Sequence, residues 1–250
     1  MLNSFRSALS FLTLLPVGKP TFDVASSGWF WFAGAVIALV ELLVLVGSRL
    51  IMSRLDSAII AVIVDGILTR GLHYDAVSDF ADGFFAPLPK EKRLDVMEDS
   101  RVGAFGVMGL IGIVLLRVSA LATLSNPAVA VLVPIMIMSR SFMSFALWLL
   151  PSAKKNGFVV HFQYDETGSR RVYPSFVIVL MVVGVFVSLT VGYLGFGVRS
   201  LIVPVGELAV FASIMYWSIR SIDGVTGDVL GAGGLLAETL SLILAAVVLK

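Results

Sequence analysis

Apolar residues run through most of this chain in stretches too long for a strand and too continuous for the one-sided helix of a soluble domain. Crossing a bilayer as a helix takes about 20 such residues. About seven stretches qualify: 28–50, 55–72, 103–124, 127–150, 173–195, 198–219 and 235–249. Asp65, Gly66 and Arg70 interrupt the second, and the last is short. The short alternating segments of a membrane barrel do not occur. Backbone polar groups in lipid must be bonded internally, so the pattern predicts helices. The expected fold is all-α: a polytopic transmembrane bundle of about six to seven spans, one integral membrane domain over residues 1–250. Residues 1–17 differ, with Leu2, Phe5, Leu9 and Leu12 at helical spacing around Arg6 and Ser10 until Pro16. That segment predicts an interfacial helix. It lacks the small-residue cleavage site of a signal peptide.

Basic residues in the connections set the expected orientation. Lys90, Lys92, Arg93 and Arg101 lie in the 73–102 connection, and Lys154, Lys155, Arg170 and Arg171 in the 151–172 connection. Two spans separate these connections, so parity puts both on one side, together with the short connection at 220–234. That side is expected to be cytoplasmic. Arg49 and Arg54 in the first connection oppose the assignment.

Composition narrows the class. Hydrophobic residues make up 58% and charged residues 14%, against about 25% charged in a soluble domain. A soluble globular enzyme and a disordered chain are both excluded. A net charge of +1 gives no reason to expect a nucleic-acid partner. With no cysteine there is no disulfide, thiolate nucleophile or Cys-bound metal. Placement of charge says more than its total. Eight of the 17 acids fall between Asp65 and Arg101.

Three segments carry candidate chemistry. In Gly71–Gly83, Asp75, Asp79 and Asp82 fall within about 60° of one helix face. Like charges on one stripe repel each other, and lipid makes their placement costlier. A divalent cation resolves both, and magnesium suits carboxylates and phosphate. His73 points away from that stripe unless the helix breaks near Gly71. In Met97–Gly106, Arg101 offers a planar fork to phosphate, and a following helix start offers backbone N–H groups. Its bland alternative is an interface anchor. The third segment, Asp223–Ala232, adds Asp228 among closely spaced glycines that otherwise serve helix packing. Arg140 lies inside an apolar stretch and is either a functional charge or the partner of an acid such as Glu207 or Asp65.

Together the segments resemble one family. Gly71-Leu72-His73-x-Asp75-x3-Asp79-x2-Asp82-Gly83 resembles the first signature of cobalamin synthases, also called adenosylcobinamide-GDP ribazoletransferases. Met97-x-Asp99-Ser100-Arg101-x-Gly103-x2-Gly106 resembles the second signature. Thr226-Gly227-Asp228-x-Leu230-Gly231-Ala232 resembles the third, with Glu238 matching a later acid. Phe11-Leu12-Thr13-x-Leu15-Pro16-Val17 resembles the amino-terminal pattern. The matches keep their order across almost the whole chain. Leu14, Ala76 and Leu235 depart from the usual Arg, Gly and acid.

The resemblance implies a multi-pass enzyme of the bacterial or archaeal cell (inner) membrane. It would transfer the adenosylcobinamide phosphate moiety from adenosylcobinamide-GDP to α-ribazole, or to α-ribazole 5′-phosphate, releasing GMP. Magnesium is the implied cofactor, with Asp75, Asp79, Asp82 and Asp228 as ligands. Ser100, Arg101, Arg140 and Thr226 are the substrate-binding candidates. Asp82, Asp99 and His73 are the catalytic candidates, and the identity of a general base stays open, as does homo-oligomerisation. Two other readings remain: a membrane phosphotransferase of the CDP-alcohol type, which also needs clustered aspartates, and a secondary transporter with ion-binding intramembrane acids.

Overall fold

A computed structural model describes residues 1–18, 23–165 and 167–249. Its helices are α1 (Leu2–Leu12), α2 (Phe30–Ser48), α3 (Arg54–Leu68), α4 (Leu72–Phe85), α5 (Lys90–Glu98), α6 (Ala104–Thr123), α7 (Leu132–Leu149), α8 (Phe158–Gln163), α9 (Ser175–Phe196), α10 (Ile202–Ile222) and α11 (Gly227–Val248). One further turn forms at Val24–Ser27, and 3-10 turns precede α7 and α10. Only isolated bridges, and no strands, occur among the described residues. Among the described residues six helices are long and apolar enough to cross a membrane: α2, α6, α7 with its 3-10 lead, α9, α10 with its lead, and α11. The chain is therefore a multi-pass helical bundle, as the apolar pattern predicts.

Two expected spans need correction. The stretch 55–72 is not one helix of spanning length. α3 has 15 residues and ends at Leu68, because Arg70 and Gly71 both take left-handed backbone, with φ of 58° and 69°. Non-glycine residues seldom adopt that conformation. The Arg70 guanidinium holds the corner by donating to the carbonyls of Ser10, Phe11 and Thr13. The stretch 235–249 is in turn the end of a longer helix that begins at Gly227. Its glycines read as loop, yet they lie against neighbours in the packed bundle. A Cβ on Gly233 would stand 2.7 Å from Met215 Cε, and one on Gly231 would stand 2.7 Å from Ala76 Cβ. Small residues let membrane helices approach this closely. Leu235, one of the departures from the family pattern, is buried in the core.

Connections gather at two ends. At one, Arg49 donates to Asn126 Oδ1 (2.9 Å) and to the Leu121 carbonyl (2.6 Å), joining the end of α2 to the end of α6. Arg49 thus caps a helix C-terminus, where cations are favoured. At the other end, Lys90 pairs with Asp223 at 2.7 Å and Lys154 with Glu98 at 2.8 Å. All three acid-bearing segments therefore meet at one end of the bundle. α4 packs there against the first turns of α6 and α11 and against Trp217 near the end of α10. α1 also reaches this end, stacking Phe11 on Phe158.

The bundle interior holds a charged cluster. Arg117 reaches Glu41 at 2.9 Å, Glu238 at 3.2 Å and Asp65 at 3.8 Å, and all four side chains are buried. Arg140 pairs with the other oxygen of Glu238. Tyr74 donates to Asp65 across 2.9 Å, tying α4 to α3. Arg140 thus pairs with an acid, but Glu238 occupies the place expected for Glu207 or Asp65. Both carboxylate oxygens of Glu207 are buried without a hydrogen-bond partner among the described residues.

Candidate active site

α4 presents its acids in graded burial. Asp75 is exposed, Asp79 half-buried and Asp82 buried. Asp82 accepts from the backbone N–H of Gly103 (2.7 Å) and of Gly106 (2.8 Å), one bond to each oxygen. It thereby caps the first turn of α6, where unpaired N–H groups and the helix dipole favour an anion. The glycine spacing of the second signature follows from this contact. A Cβ on Gly106 would lie 2.3 Å from Asp82 Oδ2 and 2.6 Å from Ser78 Oγ. Gly106→Ala should displace Asp82 and lower stability by about 1.5–3 kcal/mol, the usual worth of a charged hydrogen bond. Thermal melting against Gly112→Ala, where nothing stands within 4 Å of the added carbon, checks this. Equal melting temperatures would show that the cap contributes nothing.

Asp228 reaches the same region from α11. Thr226 caps that helix by accepting from Val229 N–H at 3.2 Å, which orients the first turn. Just before it, Val225 N–H donates to the Pro151 carbonyl (2.8 Å) and Ala153 N–H to the Val225 carbonyl (3.0 Å). Gly224 permits this contact, since a Cβ there would sit 2.6 Å from the Pro151 oxygen. The pairing brings Lys154 beside the acids. Burial pushes the Asp79 carboxyl up to about 7, and the charges of Asp75, Asp228 and Asp82 add to it while Lys154 opposes. Asp79 thus sits among like charges with one nearby cation.

Two hollows adjoin Asp228. One of about 140 Å³ is polar, with Lys154, Asn156, Ser152 and Thr226 in its wall. The other, of about 180 Å³, is lined by aromatic and aliphatic side chains and by His73. Burial, and then the charges of Arg140 and Arg117, hold the His73 imidazole well below its usual pKa, so it is neutral. α4 starts at Leu72, directly after the left-handed Gly71. His73 leaves the acid stripe, as its helical position predicts, and lines the same hollow as Asp228.

Other candidates lie apart. Arg101 is exposed and forked onto Asp99, with Nη2 to Oδ2 at 2.6 Å and Nε to Oδ1 at 3.0 Å. That contact holds the Asp99 carboxyl down at about 2. Ser100 is exposed, and neither it nor Arg101 lines the two hollows. Arg140 is committed to Glu238 in the interior. Lys154, Asn156 and Phe158 were not among the expected site residues. Lys154 had a signal, the Lys154–Lys155 pair, which also reads as a mark of topology.

Among the described residues no three acid or histidine side chains converge closely enough to cage a metal ion. Magnesium needs no such cage, since it is commonly held by one or two carboxylates, water and substrate phosphate. Mutually repelling oxygen donors at Asp75, Asp79 and Asp228 fit that mode. Asp82 has a bond on each oxygen and fits it less well.

Comparison with known proteins places this chain in a lineage. The chain is 34% identical over 254 residues to an adenosylcobinamide-GDP ribazoletransferase of Chlorobaculum tepidum, covering 100% of this chain and 97% of that one. It is 33% identical over 250 residues to the protein of that name from Bradyrhizobium diazoefficiens, covering 96% and 92%. No solved structure matches it. The profile of cobalamin-5-phosphate synthase matches residues 4–246, which run from the first turn of α1 to the last turn of α11 and take in all three acid-bearing segments, and the chain belongs to that family.

Proposed function

We propose that this protein transfers the adenosylcobinamide phosphate moiety from adenosylcobinamide-GDP to a ribose hydroxyl of α-ribazole or its 5′-phosphate, with magnesium as cofactor. The observation that carries the reading is the meeting of Asp75, Asp79, Asp228 and Lys154 at one end of a membrane bundle of this family. The hydroxyl oxygen bonds to the phosphorus nearer the corrinoid. The bond from that phosphorus to the bridging oxygen breaks, GMP leaves, and the hydroxyl proton passes to a carboxylate or to water.

Asp75, Asp79 and Asp228 would hold magnesium, which when bound supplies positive charge against the pyrophosphate. Lys154 adds a further cation beside the same acids, suited to a phosphate oxygen. Asp82 fixes α4 on α6 and so positions Asp79. Asp99 and Arg101 form an exposed ion pair, and Arg101 can fork Nε and Nη2 onto a phosphate only by leaving Asp99. Thr226 acts by setting the first turn that carries Asp228.

Purified protein in detergent should release GMP from adenosylcobinamide-GDP only with α-ribazole (or its phosphate) and magnesium present. No GMP release under those conditions overturns the reading. We place the site end on the cytoplasmic side of the inner membrane, supported by the eight Lys and Arg residues of its two long connections. Lys92→Cys, exposed in a chain without native cysteine, should resist impermeant thiol reagents in intact cells. Rapid labelling there would reverse the orientation.

A further inference from the structure

The apolar hollow under Asp228 has a polar inventory of its own. Phe11, Phe30, Phe158, Met143 and Leu147 line it together with His73. The rings of Phe11 and Phe158 stack with centroids 4.9 Å apart and planes 17° apart, which gives the wall a flat aromatic element. His73 is 2% exposed, and its Nε2 has no hydrogen-bond partner among the described residues. Buried polar atoms are nearly always paired, so an unpaired ring nitrogen on a residue that lines a cavity calls for a ligand atom. Asp228 belongs to the walls of both this hollow and the polar one.

We propose that the hollow receives the flat aromatic base of the nucleoside acceptor, with His73 Nε2–H donating to the one unsubstituted ring nitrogen of that base. This rests on the transferase reading above and names where its acceptor binds. Size agrees: an apolar cavity of about 150 Å³ accommodates a benzene ring, and this one encloses about 180 Å³ with an open mouth. Polarity agrees as well. A benzimidazole joined to ribose through one nitrogen has a single other ring nitrogen to satisfy, and His73 offers a single group. Guanine has several donors and acceptors around its edge; with Asp228 engaged at the ribose, only His73 would remain in this wall to pair them. The hollow therefore favours the acceptor's base over the donor's guanine. A base seated there would place its ribose at Asp228, where the apolar and polar hollows meet, facing Lys154.

Binding to the full chain in detergent tests this without corrinoid or magnesium, by calorimetric titration with α-ribazole, benzimidazole, ribose 5-phosphate and GMP. Benzimidazole should bind and compete with α-ribazole, whereas ribose 5-phosphate and GMP should not compete. Met143→Trp, which fills the hollow, should weaken both aromatic ligands at least tenfold, and His73→Leu should weaken α-ribazole about tenfold. Melting temperatures identify variants that fold, and Leu147→Phe replaces Met143→Trp if the latter does not. If benzimidazole fails to bind, or binds the filled variants as tightly as the native chain, the cavity assignment falls even where GMP release proceeds. Benzimidazole binding that both substitutions weaken, in a protein that releases no GMP, would keep the aromatic site and remove the transferase reading.

Discussion

Asp79→Asn should lower the rate of GMP release from adenosylcobinamide-GDP by at least about a hundredfold, as loss of a group that stabilises charge in phosphoryl transfer does. The substitution keeps the side chain's size and removes its charge. Asp79 is the central member of the cluster, between Asp75 and Asp82 on α4 and close to Asp228 of α11. The charges of Asp75, Asp228 and Asp82 all act on its carboxyl, so a bound cation favours its ionised form. Asp75→Asn and Asp228→Asn should act in the same direction. Pairs of these changes should cost far less than the product of the single losses, because groups that act as a unit are not additive. Steady-state kinetics across a magnesium titration measures both effects. Native turnover of Asp79→Asn at low magnesium would reduce the cluster to a solvated acidic face.

Glu238→Leu should destabilise the bundle by about 3–5 kcal/mol, the cost of leaving a buried charge unpaired. Glu238 is fully buried and gives one oxygen to Arg117 and the other to Arg140, so its removal leaves both guanidinium groups short of a carboxylate. A fall in melting temperature on the order of 10 °C is the expected scale. Glu238→Gln keeps hydrogen-bonding atoms and should lose less. Melting within a degree or two of the native protein would show that Glu41 and Asp65 suffice for both arginines. Glu238 resembles an acid that follows the family's third signature, yet it serves the interior. Motif membership thus does not separate an acid that faces substrate from one that neutralises an arginine inside the bundle.

Much of the architecture is legible in the chain itself. Continuous apolar runs demand helices in lipid, and their number and parity put the three acid-bearing segments at one end. The stripe of Asp75, Asp79 and Asp82 is equally plain, because helical periodicity is a local property. Local pattern fails where a distant group decides. Arg70 ends α3 by reaching carbonyls at and just beyond the end of α1, about 60 residues earlier. The glycines after Thr226 read as loop because propensity assigns them to turns, but helix packing rewards their lack of side chain. Asp82 resembles its two neighbours in sequence and becomes a helix cap only because α6 begins beside it. Arg140 could not be assigned from spacing, since its partner lies 98 residues away. Lys154 and the aromatic hollow belong to no single segment. The chain alone determines that a membrane bundle carries clustered acids at one end. Which acids stay free to act, which serve as caps or counter-ions, and where an aromatic base can enter are decided by contacts between helices far apart in sequence, because burial and pairing are properties of the packed bundle.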